Sequence, residues 1–234
     1  MTDIFGTALY DYYQQKRPGK LWIHNRYGPK EEMPLGAYFR TEADMNDIEL
    51  TALRQCRGTV IDVGAGAGTH TLLLQRKGLD VTALEISPGA VAVMKQRGVK
   101  KIIQRDFFAC KGKRFDTLLL LMNGIGLVQT LSGLHQFLQH AATMLQPGGR
   151  LLFDSSDVAY IYDKKNAVPN NYYGEIDYRY EYKKQKSGWF KWLYVDRQTL
   201  KQIARQHGWN CRIIREDENG QYLARLTRKD ANSL

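Results

Sequence analysis

The chain is short of cysteine: Cys56, Cys110 and Cys211 are odd in number, far apart and never at metal-ligand spacing. Neither a disulfide framework nor a thiolate metal site is indicated, and reduced cytoplasmic thiols are expected. It also lacks any run of about 18 apolar residues, which argues against a membrane span. The opening stretch MTDIFGTALYDYYQQKRPGK has tyrosine and charge where a signal peptide needs an apolar core. Acidic residues are scarce too, 24 Asp/Glu against 34 Lys/Arg in 234 residues. The deficit lies after residue 50, where 28 basic residues face 16 acidic ones, against 6 and 8 before it. Such a surface admits anionic substrates or nucleic acid as partners, but solvated lysines are the plainer explanation.

What is present is strong periodicity. TVIDVG reads as a buried strand and THTLLLQRKG as a helix ending at Gly78. LDVTALEI is a second strand; SPGAVAVMKQRG is a helix with Ser87 as N-cap and Pro88 in its first turn. KKIIQRDF, RFDTLLLLMNG and RLLFDSSD supply three more strands, with the helix LSGLHQFLQHAATMLQ before the last. This alternation predicts a parallel sheet with helices on both faces. Residues 171–182 and 188–195 alternate aromatic and polar residues around KKQKS and read as an inserted antiparallel hairpin. A helix from Asp196 and a hairpin turning at Asn219-Gly220 close the chain. Residues 1–50, with Pro18, Pro29 and Pro34, read as short helices and loops: a lid on a domain spanning 51–234.

The chemistry sits in Asp62-Val63-Gly64-Ala65-Gly66-Ala67-Gly68. Glycines at 64 and 66 leave no Cβ between backbone and ligand, and Gly68 lets the next helix pack closely. A phosphate-cradling loop ending in GK[ST] is excluded, because Lys77 lies a helix length away. A dinucleotide GxGxxG is broken by Thr69. Asp62 beside the loop disfavours a pyrophosphate and favours a cationic ligand, a description that S-adenosylmethionine meets.

DVGAGAG resembles the first motif of class I S-adenosylmethionine-dependent methyltransferases. The likeness extends over roughly residues 56–154 through Glu85, Asp106 and PGGRLLF, in the family's order. It implies a Rossmann-like methyltransferase fold: α/β, a mostly parallel seven-stranded sheet with helices on both faces and a C-terminal antiparallel hairpin. It implies S-adenosyl-L-methionine as cofactor, with Glu85 taking the ribose hydroxyls, Asp106 the adenine amino group and Phe107 or its neighbour the ring. The strand-end loops around the reacting centre add Ala65, His70, Ile86, Asn123 and Gly124, and Arg40 is a candidate for the cofactor's carboxylate. No residue is nominated as a general base, and no metal is expected.

The fourth strand ends in Asn-Gly-Ile-Gly and lacks the paired proline and aromatic of amino-methylating nucleic-acid enzymes. The expectation is therefore an enzyme moving a methyl group to a small-molecule acceptor. An RNA or protein methyltransferase and a non-catalytic cofactor-binding module are the alternatives. The tyrosines on one face of residues 171–182 need a cover, expected from the N-terminal residues or from a mate in a homodimer.

Overall fold

The computed structural model describes residues 2–16, 18–162 and 171–229. Helix α1 (Ile4–Tyr13) is capped by Asp3 and followed by strands β1 (Leu21–Asn25) and β2 (Glu31–Met33). Helix α2 (Asp47–Gln55) starts in a reciprocal capping box between Asn46 and Glu49. Then the expected alternation runs through β3 (Thr59–Val63), α3 (Thr69–Arg76), β4 (Asp80–Glu85), α4 (Pro88–Gln96), β5 (Ile102–Gln104), β6 (Phe115–Leu120), α5 (Leu131–Met144) and β7 (Leu145–Ser156). Past it lie β8 (Glu175–Tyr182), β9 (Gln185–Lys186), β10 (Phe190–Leu193), α6 (Arg197–Gln206), β11 (Trp209–Glu216) and β12 (Gln221–Arg228). No helix among the described residues is long and apolar enough to cross a membrane.

The main sheet has seven strands in the order β11-β12-β7-β6-β3-β4-β5. β3 to β7 are mutually parallel, and β12 and β11 add an antiparallel edge. The apolar run of β6 is divided between two layers: Leu118 and Leu120 pack with Phe137, Leu151 and Phe153 on one face. Leu119 packs with Ile48, Ala52 and Leu53 of α2 on the other. Alternating side chains buried on both sides explain the unbroken apolar run from Leu118 to Met122. Strand order reverses between β3 and β6, so the crevice at their carboxyl ends is where a ligand is expected.

A second, antiparallel sheet departs from expectation. The inserted hairpin does not stand alone: its order is β10-β8-β1-β2, with β9 on β8. Residues 21–33, read as loop, supply two of its strands. Three-residue β2, between Pro29 and Pro34, carries no periodic signal, and its pairing is fixed by β1 across the turn. The tyrosine face of β8 is covered from within the chain. Tyr180 stacks on Phe5 of α1 at 5.7 Å and meets Phe190 at 5.0 Å; Tyr182 is buried and donates to Asp11 at 3.1 Å. Trp192 anchors this sheet onto the main one, its Nε1 donating to the Asn123 carbonyl at 3.0 Å. A Cβ on Gly126 would lie within the Trp192 indole, 1.9 Å from Nε1, so glycine there permits the docking.

Candidate functional site

The glycine loop is tied to the neighbouring strand before any ligand arrives. Gly64 N–H donates to the Leu84 carbonyl at 2.8 Å, and Gly66 N–H to Glu85 Oε2 at 2.8 Å. Gly66 holds φ +56°, and a Cβ there would touch the Tyr38 ring at 3.4 Å. Glu85 Oε1 accepts from the Ile86 and Ser87 N–H groups at 2.8 and 2.9 Å. Burial pushes the Glu85 carboxyl up, opposed by these three N–H donors. A carboxylate offers about four acceptor sites, so Oε2 keeps capacity for a further donor. Gly68 serves packing instead. A Cβ there would lie 2.9 Å from Met94 and Val99, so its close approach is to α4 and the turn after it.

Asp62 is buried and accepts from Thr71 Oγ1 at 2.6 Å; burial raises its pKa. His70, also buried, places Nε2 2.9 Å from Glu49 Oε1. Arg40 forks onto the same carboxylate, Nη2 to Oε1 at 2.7 Å and Nη1 to Oε2 at 3.0 Å. Two candidates thus converge on Glu49, a residue that is not among the sequence candidates. Burial raises the Glu49 pKa, but His70 and Arg40 outweigh it and hold the carboxyl below its usual range.

Asp106 caps the turn after β5, accepting from Phe108 N–H at 2.8 Å. Phe107 is buried against Phe137 and His140, while Phe108 and Ile86 are exposed on adjacent loops. Met122 and Asn123 both adopt positive φ at the end of β6, a conformation unusual for residues with side chains. Asp154 at the end of β7 holds this turn: both its oxygens lie 3.0 Å from Asn123 N, and Gln221 Nε2 donates at 2.6 Å. Gly124 lies buried behind it.

Burial raises the Asp154 pKa to about 6, against the Asn123 N–H and the Gln221 amide. Between the ordinary carboxyl value and about 6 the native state therefore binds more protons than the unfolded chain. Its contribution to stability falls as pH rises through that window. Asp154→Asn, with the Gln221 amide turned, should flatten this fall by up to about 3 kcal/mol. Urea midpoints at pH 4.5 and 7.5 check it; parallel profiles for variant and parent would show that Asp154 titrates normally.

The N-terminal segment is tied to the loop that follows Glu85. Asp3 Oδ2 accepts from Ser87 Oγ at 2.8 Å and from Gly89 N–H at 2.9 Å, locking α1 to the loop after Glu85. Phe5 meets Tyr38 edge-on at 5.1 Å, over Gly66. Tyr178 Oη lies 3.4 Å from Tyr194 Oη on the underside of the second sheet. Phe5 links Tyr38, beside Gly66, to Tyr180 of β8.

A family model described as a methyltransferase domain matches residues 37–212. The S-adenosylmethionine-dependent methyltransferase from Bacteroides fragilis, solved in complex with S-adenosyl-L-homocysteine, is 40% identical with a TM-score of 0.90, the match covering 97% of this chain and 94% of that one. The chain belongs to the S-adenosylmethionine-dependent methyltransferases. The CcbJ methyltransferase of Streptomyces caelestis shares the fold at 13% identity, TM-score 0.64, over 85% of this chain and 100% of its own. A demethylmenaquinone methyltransferase of Tropheryma whipplei is 33% identical over 99 residues, 40% of this chain and 39% of that protein. The chain thus spans about two fifths of the length of the curated relatives it matches. In methyltransferase terms the seven-stranded sheet with its antiparallel end is the family fold, and the sheet of β10-β8-β1-β2 is laid over it.

Proposed function

We propose that this methyltransferase transfers the methyl group of S-adenosylmethionine to a small molecule held beneath the aromatic sheet. The observation that carries the reading is the pairing of Gly66 with Glu85: a bare backbone turn locked to a buried carboxylate that retains acceptor capacity. These residues fit such a cofactor. The loop has no lysine for phosphate, Glu85 suits a vicinal diol, and Ile86 and Phe108 offer exposed apolar surface for an adenine ring beside Asp106. When bound, the cofactor supplies a methyl already activated on sulfonium.

The protein's own contribution is then alignment and exclusion of water. Arg40 is engaged by Glu49, so we assign it and His70 to holding α2 and α3 around the loop. Burial pushes the Tyr178 and Tyr194 hydroxyls up, so at neutral pH they donate hydrogen bonds and do not act as bases. A small acceptor is favoured because the basic residues of this sheet lie on its outer face, matched internally. Arg26 and Arg179 flank Trp189 at 4.5 and 4.8 Å, and His24 and Lys30 contact Glu181. The Tropheryma relative, named for demethylmenaquinone, also supports a small-molecule acceptor. We place the protein in the cytoplasm, its three cysteines being free thiols with pKa values raised by burial.

Calorimetry with S-adenosylmethionine, S-adenosylhomocysteine and NADH, followed by labelled-methyl transfer to metabolite pools and to RNA, tests this. Label in a metabolite fraction is the expected result. Label confined to RNA would overturn the acceptor class, and preference for NADH would overturn the whole reading.

A further inference from the structure

At the far end of the sheet from the glycine loop is a cavity of about 520 Å³ lined by Arg150, Asn210, Cys211, Arg212, Arg225 and Thr227. The pairing register explains the lining. Arg150 faces Thr227 across β7 and β12, and Thr227 faces Asn210 across β12 and β11. One row along, Arg225 lies directly opposite Arg212. Residues two apart on a strand share a face, so three arginines project from three neighbouring strands into one space. Like charges directly opposite on a sheet destabilise it. No ion pair with a carboxylate offsets the pair Arg212/Arg225 among the described residues.

Nothing anionic compensates these charges among the described residues. The arginines there that pair with carboxylates are Arg26, Arg40, Arg197 and Arg215. Arg150 and Arg225 instead share the neutral Oε1 of Gln55, at 3.3 and 3.1 Å, and Arg150 also donates to the Gln55 carbonyl at 3.1 Å. Arg150 Nε is buried with no hydrogen-bond partner, and Arg212 is exposed. Burial, joined by the nearby Arg57 and Arg225, lowers the Arg150 pKa.

We propose that this cavity binds the phosphate groups of a small phosphorylated molecule. Guanidinium forks match phosphate oxygens two at a time, and three of them exceed what one carboxylate would use. The volume lies within the range of small-molecule sites. Single-stranded RNA is the less suitable occupant, because it is held by stacking as well as charge. The exposed large apolar side chains among the described residues, Tyr12, Ile86, Phe108, Tyr160 and Trp189, do not line this cavity. Arg150 precedes Asp154 by four strand residues, about 13 Å, so an occupant here lies away from the methyl-transfer crevice.

Titration calorimetry of the full chain with inorganic pyrophosphate and with ATP, each with saturating S-adenosylhomocysteine at about 0.15 M salt, tests the site. Saturable one-to-one binding is expected, weakened about tenfold or more in the double variant Arg212→Ala/Arg225→Ala. S-adenosylhomocysteine affinity should be unchanged in that variant, which also shows that it is folded. Tighter binding of ATP than of pyrophosphate would mark a nucleotide; equal binding would mark the phosphoanhydride alone, and either keeps the proposal. No saturable binding, binding undiminished in the variant, or binding of a uridine decamer in preference to both probes would overturn it.

Discussion

Glu85→Ala should lose both the cofactor and a substantial part of the folding stability. Loss of hydrogen bonds to a charged acceptor weakens S-adenosylhomocysteine binding by roughly 1.5–3 kcal/mol, ten- to more than a hundredfold. The stability loss arises separately. The Gly66, Ile86 and Ser87 N–H groups all donate to this one side chain, and alanine leaves them without it. At about 1–3 kcal/mol for each unsatisfied buried donor, the gross cost exceeds about 3 kcal/mol, offset in part by removing a buried charge. Glu85→Gln separates the two effects, since its carbonyl can still accept from Ile86 and Ser87 while an NH₂ replaces the acceptor at Gly66. It should keep more stability than alanine and still bind weakly. Calorimetry and urea denaturation on both variants give the comparison, and native affinity in Glu85→Ala would mean the ribose is held elsewhere.

That double role marks a limit of the sequence. Glu85 is legible as a strand-end acid 19 residues after Gly66, and the spacing suggests a ligand group; nothing in one dimension shows it holding its own loop. The parallel strands β3, β4 and β6 are readable because each carries an apolar run that a helix follows, with a local cap at Ser87-Pro88. β1 and β2 are not, because β1 pairs with β8 far along the chain, as His24 does with Arg179, 155 residues on. Phe107 and Phe108 are adjacent and alike. A single 3-10 turn decides that the first enters the core and the second is exposed. Gly68 reads as letting the following helix approach its strand, whereas a Cβ there would meet Met94 of α4 and Val99 beyond it. Arg40 is readable as a candidate arginine, whereas its partner Glu49 lies in a helix whose packing against Arg40 and His70 only the fold reveals.

Arg40→Met should be among the most destabilising single changes in the chain, at about 3–5 kcal/mol, the range for removing one partner of a buried ion pair. Glu49 is 2% exposed, so its carboxylate cannot turn to water when the guanidinium fork is gone. His70 Nε2 then remains beside it, 2.9 Å away, and Asn46 N–H is a weaker contact at 3.4 Å. Glu49→Gln in the Arg40→Met background removes the stranded charge while leaving an amide that can still meet His70 Nε2. The double variant should therefore be more stable than Arg40→Met alone, by a coupling of about 1–3 kcal/mol. Because Thr69 Oγ1 donates to the Tyr38 carbonyl and Arg97 joins the same oxygen, the loop carrying Arg40 stays attached in both variants. Cofactor affinity should thus fall less than stability does. Guanidinium chloride denaturation of the two singles and the double closes the cycle. If Arg40→Met instead kept full stability and lost S-adenosylhomocysteine binding, Arg40 would hold the cofactor and its pairing with Glu49 would be incidental.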